Sequence, residues 1–368
     1  MAHHVDADTL QQWLTNGQAV TVVDIRTQED RALWSIPGSI HIDAYDALRQ
    51  GSEGALADAQ FPLDTPVVTI CNLGRVSETA AAALSERGYD ARSLEGGMKA
   101  WSLAWNTAEV RVANNATRVI QLRRTGKGCL SYLVGSKGQA VVIDASLPPE
   151  VYLIIAAEHG LRIHFVLDTH IHADHLSRAR GLAEKAGATL LLPPQDRVRF
   201  PFTPIGQGNS ITFGEAALTA VKTPGHTLES MSYLLNGEAL FTGDTLFLSG
   251  VGRPDLHADA VAAAERSRLL YHSIKGLLAL GPAVLILPAH AAEPVAFDKN
   301  PLVARVSVVA ERLRPWLTSE EAFVEQILKR LPPTPANYAR IVEWNEAGVL
   351  PTGDPTDLEA GANRCAVT

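Results

Sequence analysis

The sequence contains few cysteines, and none of its apolar runs is long enough to cross a membrane. The three cysteines, Cys71, Cys129 and Cys365, are odd in number and far apart in the 368-residue chain. A disulfide framework is therefore not expected, and the thiols should be reduced. The longest apolar stretch, residues 279–289, contains Gly and Pro and falls well short of the roughly 20 residues that span a bilayer. We expect no membrane-spanning segment.

The chain also has fewer basic than acidic residues. The chain has 32 Lys and Arg against 40 Asp and Glu, which gives a net charge of -8. Nucleic-acid binding needs a basic face, so we do not expect a nucleic-acid partner. We expect small ligands instead. The first ten residues contain neither a basic nor an apolar targeting segment, which predicts a cytoplasmic protein. The oligomeric state stays open, with a homodimer as one option.

The length of the chain predicts two domains, because one hydrophobic core rarely grows to this size. Short apolar runs at 20–25 and 67–71 alternate with a helical pattern at 77–87, which is typical of an α/β domain. We assign this domain to residues 1–106. A polar, aperiodic stretch follows, and we interpret residues 107–118 as a linker.

The next part of the chain is rich in predicted strands. A helix is predicted at 149–159, and the strand candidates are 119–123, 130–134, 140–144, 163–167, 189–192, 210–213, 217–222, 231–235, 239–242 and 284–287. Many strands with few helices indicate two packed sheets covered by helices, an αββα sandwich over residues 119–300. Residues 301–368 are predicted as a helical C-terminal extension, with a loosely held tail beyond Gly348.

Three histidines and one aspartate lie within six residues, directly after an apolar strand. They are His170, His172, Asp174 and His175. Residues two apart on an extended segment share a face, so His170 and His172 can point the same way. Imidazole and carboxylate groups are common zinc and iron ligands. The run predicts a metal site.

Three further candidates, His226, Asp244 and His290, follow predicted strands and are flanked by Gly or Pro. Any one of them alone is more simply a surface residue or a helix cap. The whole set, in this order and next to Gly and Pro turns, favours metal binding.

The H-x-H-x-D-H run at 170–175, followed by Gly-His, Gly-Asp and a late Ala-His, resembles the metallo-β-lactamase superfamily over residues 119–301. The resemblance implies an αββα sandwich with one or two metals at the edge of the sheets. In a binuclear site the ligands would be His170, His172 and His226 for one metal, Asp174, His175 and His290 for the other, and Asp244 as a bridge.

The segment at 243–256 resembles persulfide dioxygenases, in which an arginine follows the aspartate ligand by nine residues, as Arg253 follows Asp244. This implies one Fe(II) held by His170, His226 and Asp244, with Arg253 at the substrate. Two histidines and one carboxylate leave open positions for dioxygen and a sulfur substrate. The four other candidates would then orient the ligands. Without the resemblance, Arg253 is as well explained by an ion pair with Asp255.

A hydrolase remains the alternative. Persulfide dioxygenases carry an aromatic hydroxyl residue shortly after the late histidine, whereas this chain has Ala291, Ala292 and Glu293 after His290. The persulfide could then be that of glutathione, of another small thiol or of a protein. In a glyoxalase-II-like thioester hydrolase, a binuclear zinc or other metal site would use all seven ligands to activate water.

The N-terminal domain has its own candidate nucleophile. Cys71 follows an apolar strand and opens a loop that contains Gly74 and Arg75 and leads into a helix. Backbone N–H groups of such a loop favour a thiolate and bind an anionic adduct. A tyrosine-phosphatase site is disfavoured, because Ser77 stands where that chemistry needs an arginine.

Residues 10–105 resemble a single-domain rhodanese, with V-D-I-R at 23–26, I-P-G-S-I at 36–40, the Cys71 loop, and L-E-G-G-M-K-A-W at 94–101. The resemblance implies that Cys71 carries a persulfide sulfur and that Gly74 and Arg75 bind the substrate. We therefore expect a sulfur-metabolising fusion enzyme whose partners are small thiols and persulfides such as glutathione. A rhodanese-like module that only binds or regulates is the other hypothesis.

Overall fold

The computed structural model describes residues 3–361 and 363–368. Its first domain is a five-stranded sheet of order β1-β5-β4-β2-β3 in which every neighbouring pair is parallel. Its elements are β1 (His3–Val5), α1 (Ala7–Thr15), β2 (Thr21–Asp24), α2 (Gln28–Leu33), β3 (Ile40–His41), α3 (Tyr45–Arg49), β4 (Val67–Ile70), α4 (Arg75–Glu86), β5 (Ala91–Leu94) and α5 (Gly97–Trp101). All four residues of β4 are buried, as expected for a central parallel strand covered on both faces.

The second domain contains two larger sheets. Its elements are β6 (Asn106–Val110), β7 (Thr117–Arg124), β8 (Cys129–Ser136), β9 (Gln139–Ile143), α6 (Pro149–Glu158), β10 (Arg162–Leu167), α7 (Ala179–Ala186), β11 (Thr189–Leu192), β12 (Thr203–Pro204), β13 (Ser210–Phe213), β14 (Ala216–Lys222), β15 (Met231–Leu235), β16 (Ala239–Gly243), β17 (Val251–Gly252), α8 (Ala260–Leu278), β18 (Leu285–Pro288) and β19 (Ala304–Arg305). The sheets run β12-β11-β10-β9-β8-β7-β6 and β13-β14-β15-β16-β18-β19.

The two sheets pack face to face around a core that both supply, with Tyr132 and Val141 on one side and Tyr233 and Phe241 on the other. Helices α6 and α7 cover the outer face of the first sheet. The outer face of the second sheet is covered by α8 and by two helices from the C-terminal part of the chain. The αββα sandwich predicted from the strand pattern is confirmed.

The C-terminal part contains α9 (Val306–Leu313), α10 (Glu320–Lys329), α11 (Tyr338–Ala347), α12 (Thr356–Glu359) and β20 (Ala366–Val367). The expectation of a loosely held tail is wrong. Strand β20 pairs with β17, and Leu358, Glu359, Cys365 and Val367 are all buried. The tail is held by contacts with residues more than a hundred positions earlier, which local periodicity cannot reveal.

The predicted linker at 107–118 also differs from the structure. Residues 106–110 form β6, which pairs antiparallel with β7 and adds an edge strand to the first sheet. Only residues 111–116 lie between the two strands. Further contacts join the domains: the Trp34 indole donates to the Thr125 carbonyl oxygen at 2.9 Å, and Trp101 packs against Phe297. In the described ranges, no helix combines the length and the apolar character needed to cross a bilayer.

Candidate metal centre and thiol site

The predicted metal ligands meet because the strands that precede them end at one edge of the sandwich. His170 follows β10, which runs parallel to β9. His226, Asp244 and His290 follow β14, β16 and β18. Strands β14 and β16 are both antiparallel to β15, and β16 is parallel to β18, so these three strands also end on the same side. The loops at this edge therefore bring distant residues together.

Three of these residues form a buried triad. His170 Nε2 lies 3.8 Å and His226 Nε2 3.7 Å from Asp244 Oδ2. One ligand atom from each residue lies within 4.8 Å of the other two. The three side chains are at most 3% exposed, so the atoms face a common point inside the protein.

The triad fits a metal ion. His170 Nε2 and Asp244 Oδ2 are buried and have no hydrogen-bond partner among the described residues. Such atoms are costly to bury unless something satisfies them. The other ring nitrogens are engaged elsewhere: His226 Nδ1 donates to the Arg253 carbonyl oxygen at 2.8 Å, and His170 Nδ1 lies 2.9 Å from Thr169 Oγ1. Both Nε2 atoms are thereby directed at the site, as in metal-binding histidines.

Tight backbone packing supports this arrangement. Gly243, directly before Asp244, has a φ of +52°, and a Cβ there would lie 2.5 Å from Thr169 Oγ1. Thr169 in turn contacts both carboxylate oxygens of Asp144 at 3.0 Å. A side chain at Gly243 would therefore displace the loop that carries His170.

The electrostatics suit ligand binding. Burial, together with the neighbouring His172, holds the pKa of His170 well below its ordinary value, so the imidazole is neutral and free to coordinate. Burial raises the pKa of Asp244, but His290, His170 and His226 outweigh that effect and lower it below the usual range. Asp244 is thus a carboxylate at neutral pH.

The other four predicted ligands lie around the triad. The ring centroids of His170 and His172 are 4.3 Å apart, and both ring nitrogens of His172 and Nε2 of His175 are also buried without a hydrogen-bond partner among the described residues. His172 Nε2 lies 3.3 Å from Asp144 Oδ1 and 3.8 Å from Asp168 Oδ1. His290 lies between two carboxylates, with Nδ1 2.5 Å from Asp244 Oδ1 and Nε2 2.8 Å from Asp174 Oδ2. His175 contacts Asp174. All seven predicted residues are buried at this edge.

Sequence reasoning missed several residues at this edge. Asp144 and Asp168 directly follow β9 and β10, which run parallel beside each other. This position after neighbouring strands was the sequence signal that could have indicated them. Cys129 Sγ donates to Asp174 Oδ2 at 3.3 Å, and the Asn363 amide donates to the same oxygen at 2.9 Å. Nothing in the local sequence around Cys129 or Asn363 indicates these contacts.

Arg253 contacts the triad through its backbone carbonyl oxygen, which accepts from His226 Nδ1 at 2.8 Å. Its guanidinium is buried and forms a two-pronged ion pair with Asp255, at 2.8 and 2.7 Å. It also donates to the carbonyl oxygens of Pro333 and Arg364 at 3.1 and 3.3 Å. The guanidinium thus donates four hydrogen bonds to other groups of the protein. The ion pair with Asp255, which the sequence offered as the simpler explanation of Arg253, is present. The backbone of Arg253 separately orients His226.

A buried ion cluster joins the C-terminal segment to the metal-binding loop. Glu359 accepts from Arg124 at 2.8 Å, from Arg178 at 3.1 Å and from the Leu176 N–H at 2.6 Å. Lys127 donates to the Glu359 carbonyl oxygen at 2.7 Å. Burial raises the pKa of Glu359, but Arg124 and Arg178 outweigh it and lower the pKa to about 2. The segment is therefore fixed next to Asp174 and His175.

A cavity of about 660 Å³ reaches one member of the triad, His226. His226 lines it together with Ile171, Leu256, Arg197 and Arg266. The volume falls in the range of small-molecule sites. Its lining combines the two guanidinium groups with the carboxylates of Asp196, Glu229, Glu343 and Glu346, and Arg197 is paired with Glu346 at 2.6 Å.

The thiol site has the expected form. Cys71 follows β4 and is 2% exposed. The Gly74 N–H donates to Cys71 Sγ at 3.2 Å, and the Ser77 hydroxyl donates to it at 3.4 Å. Gly74 has a φ of +85° and precedes α4, whose first residue is the exposed Arg75. The loop thus presents donors to the sulfur at a helix N-terminus. The role of Arg75 in substrate binding stays a prediction.

Comparison with known families agrees with this division. Residues 6–104 match the rhodanese-like domain, and residues 124–290 match the metallo-beta-lactamase superfamily. The chain therefore carries a rhodanese-like domain followed by a domain of the metallo-beta-lactamase superfamily.

Two curated relatives match part of this chain. A hydroxyacylglutathione hydrolase of Anaeromyxobacter dehalogenans is 34% identical over 148 residues, which is 40% of this chain and 57% of the relative. One from Brucella ovis is 35% identical over 143 residues, 38% of this chain and 51% of the relative. The chain thus spans about half the length of these relatives.

Solved structures extend the similarity. ETHE1 from Myxococcus xanthus aligns with a TM-score of 0.55 and 29% identity, covering 62% of this chain and 98% of that one. A metallo-beta-lactamase from Staphylococcus aureus aligns with a TM-score of 0.59 and 26% identity, covering 64% of this chain and 74% of that one. Almost the whole of the ETHE1 chain finds a counterpart here, so the similarity takes in a complete fold.

Proposed function

We propose that the protein oxidises a low-molecular-weight persulfide to sulfite at an iron centre in its second domain, and that Cys71 of the first domain transfers sulfane sulfur. The overall reaction of the metal domain is RSSH + O2 + H2O → RSH + H2SO3. The terminal sulfur atom is oxidised, dioxygen is reduced, and the thiol RSH is released.

The observation that carries this proposal is the triad of His170, His226 and Asp244, whose ligand atoms lie within 4.8 Å of one another. Two histidines and one carboxylate are the ligand set of non-haem Fe(II) oxygenases, which keep open positions for dioxygen and substrate. In this proposal His172, whose Nε2 lies 3.3 Å from Asp144 Oδ1 and 3.8 Å from Asp168 Oδ1, would orient the site and would not bind the iron. His290 is hydrogen-bonded to two aspartates and so orients Asp244.

Iron bound at the triad would supply the coordination site and the redox chemistry. The chain's own residues do the rest. Asp244 provides the negative charge, and the carbonyl oxygen of Arg253 fixes the tautomer of His226. The cavity beside His226 would receive the persulfide. To act on the substrate, the Arg253 guanidinium would have to leave its ion pair with Asp255.

The proposed partners are small thiols and their persulfides, such as glutathione, in the cytoplasm. The donors around Cys71 would stabilise a persulfide anion on that residue. Gly74 and Arg75 would bind the incoming sulfur donor. We propose neither a nucleic-acid nor a membrane partner. For nucleic acid the reason is that the chain is acidic overall.

Thioester hydrolysis is the second candidate function. It is favoured by the hydroxyacylglutathione hydrolases that are 34–35% identical to the metal domain. In that case all seven ligands would hold two zinc or other metal ions. The rhodanese-like domain would then be regulatory or accessory.

The two functions are separated by one set of assays. Protein purified without oxygen is analysed for metal and then given glutathione persulfide or a hydroxyacylglutathione thioester. We expect one iron per chain, oxygen uptake and equimolar sulfite with the persulfide. His226→Ala should lose both iron and oxygen uptake. His272→Ala, which changes an exposed histidine paired with Glu320, should keep both. Thioester hydrolysis without oxygen uptake would overturn the proposal.

A further inference from the structure

We infer that the thiol which accepts sulfur from Cys71 binds in a cavity built by both domains, and that it carries an ammonium group and a carboxylate, as amino-acid and short peptide thiols do. Asp30 binds the ammonium group of this acceptor, and Lys99 binds its carboxylate. The inference rests on the sulfur transfer proposed for Cys71 and names the chemistry of the acceptor.

The cavity lies on the loop that carries the thiol. Its volume is about 370 Å³, and Asn72 and Leu73, the two residues after Cys71, line it. The start of α5 is tied to the same loop, because the Met98 N–H donates to the Cys71 carbonyl oxygen at 2.9 Å and the Lys99 N–H to that of Asn72 at 3.1 Å. Cys71 itself is 2% exposed. The atom that an acceptor must reach is the persulfide sulfur, which would lie about 2 Å beyond Sγ.

The second domain and the C-terminal segment supply part of the wall. These lining residues are Gly126, Asp357, Ala360 and Gly361. The ammonium group of Lys99 is paired with Asp357 and, at 3.0 Å, with Asp354. Lys127 Nζ donates to the carbonyl oxygens of Glu359 at 2.7 Å and Gly361 at 3.4 Å. The wall is therefore held in place, and an acceptor in the cavity meets both domains.

The charges of the lining are balanced. The charged lining residues are Arg26, Lys99, Asp30 and Asp357. The buried Arg26 guanidinium is already engaged, with Asp24 at 2.9 and 2.7 Å and with the Trp34 carbonyl oxygen at 2.7 Å. A lining with two charges of each sign complements a zwitterionic ligand better than a polyanion.

Two polar groups retain binding capacity. Asp30 Oδ2 accepts from Asn72 Nδ2 at 2.7 Å, whereas no described residue donates to Oδ1. The Lys99 ammonium has three N–H donors, of which the ion pairs with Asp354 and Asp357 use two. Its side chain is 27% exposed, so the third donor is accessible to a ligand.

Apolar side chains complete the lining. Leu33, Trp34, Leu73 and Met98 contribute to the cavity. Leu33 and Leu73 are 49% and 56% exposed, which is unusual for leucine. They offer contacts to the methylene groups of an amino-acid or peptide thiol. The volume is within the usual range of small-molecule sites.

The transfer itself is balanced: Cys71–S–S⁻ + RSH → Cys71–S⁻ + RSSH. The acceptor sulfur forms a bond to the terminal sulfur of the persulfide. The bond between that sulfur and Cys71 Sγ breaks, its electron pair stays on Cys71, and the acceptor proton ends on the new persulfide. The Gly74 N–H and the Ser77 hydroxyl, at 3.2 and 3.4 Å from Sγ, stabilise the released thiolate.

The test is sulfite release from thiosulfate by the metal-loaded full chain, measured without oxygen so that the metal domain does not consume the product. The acceptors are cysteine, glutathione, 3-mercaptopropionate, which lacks the ammonium group, and cysteamine, which lacks the carboxylate. Lys99→Met should raise KM roughly tenfold for every acceptor except cysteamine. Asp30→Asn should raise KM by a similar factor for every acceptor except 3-mercaptopropionate.

Matched controls remove exposed charges elsewhere. Lys329→Met and Asp90→Asn, whose partners are Glu325 and Arg92, should change no acceptor KM by more than about twofold. Ala360→Trp should fill the cavity from outside the rhodanese-like domain and raise KM for all four acceptors. Ala57→Trp, at an exposed position outside the cavity lining, should not.

The unaltered chain provides a measurement that does not depend on the folding of any variant. S-methylcysteine, which cannot accept sulfur, should compete with cysteine at least about tenfold better than 3-(methylthio)propionate or 2-(methylthio)ethylamine. A lower KM for cysteine or for glutathione tells whether an amino-acid or a peptide thiol is preferred, and either result supports the inference.

Equal competition by the three methylated compounds would overturn the inference and leave sulfur transfer at Cys71 intact. The same holds if Lys99→Met and Asp30→Asn change KM equally for all four acceptors, or if Ala360→Trp leaves KM unchanged. Absence of sulfite release with every acceptor would refute both the inference and the proposed sulfur transfer.

Discussion

Replacing Glu359 with Gln should destabilise the protein strongly, although the residue lies outside the ligand set. The side chain is fully buried, and its carboxylate is shared by Arg124, Arg178 and the Leu176 N–H. Glutamine has nearly the same shape but no charge. The substitution therefore leaves two buried guanidinium groups without their anion.

The magnitude follows from two independent arguments. Arg124 and Arg178 lower the pKa of Glu359 from 4.5 to about 2 in spite of burial. At about 1.4 kcal/mol for each pKa unit, this corresponds to roughly 3 kcal/mol. Breaking a buried ion pair by removing one partner costs about 3 to 5 kcal/mol. We expect the free energy of unfolding to fall by about 3 kcal/mol.

The same cluster predicts a dependence on pH. Because the pKa of Glu359 is lower in the folded protein, its contribution is complete above the unfolded value of 4.5 and is lost as the pH falls towards about 2. The difference between wild type and Glu359→Gln should therefore shrink in this range. Neutral pH should show the full difference.

Urea denaturation at pH 7 and at pH 3, followed by circular dichroism, measures both effects. Glu215→Gln is the matched control, because it removes an exposed ion pair with Lys137 and should cost less than about 1 kcal/mol. Equal midpoints for Glu359→Gln and wild type at pH 7 would refute the reasoning.

Three further predictions concern the sites. Asp244→Ala should lower metal content and turnover together, the latter by at least about 100-fold, since altering even outer partners of a metal costs roughly 10–100-fold; full activity in this variant would refute the site. Arg253→Ala should leave metal content nearly unchanged while steady-state kinetics show a higher KM or a lower kcat for the persulfide, and unaltered kinetics would assign Arg253 to its ion pair with Asp255. Cys71→Ser should abolish sulfur transfer from thiosulfate to cyanide or a thiol, because a hydroxyl cannot hold a persulfide. Its oxygen uptake on preformed persulfide should survive, and loss of uptake in a folded, iron-loaded variant would mean that the two sites are coupled.

Residues whose role depends on their neighbours in sequence could be predicted. The strand before His170 is a buried apolar run, and the H-x-H-x-D-H spacing brings the ligands onto one loop. Gly243 before Asp244 indicated the sharp turn that the structure contains. The candidate ligands were therefore recognisable before their geometry was known.

Residues whose role depends on distant contacts could not be predicted. Cys129 meets Asp174 across 45 positions, and Glu359 meets Arg124 across 235. No periodicity connects such residues, and the polar tail beyond Gly348 therefore suggested a loose segment. For the same reason, the short strand β6 was interpreted as part of a linker, since its pairing with β7 depends on the folded sheet.

Strand β6 also limits how the two domains can cooperate. It begins five residues after α5 ends and is hydrogen-bonded along its length to β7, in the first sheet of the second domain. The rhodanese-like domain is thus attached without a flexible arm, and the Trp34 contact to Thr125 fixes it further. Cys71 cannot swing to the triad as a tethered carrier would. A sulfur atom that passes from one site to the other must travel on a small acceptor thiol, so an excess of a competing thiol in the medium should intercept it.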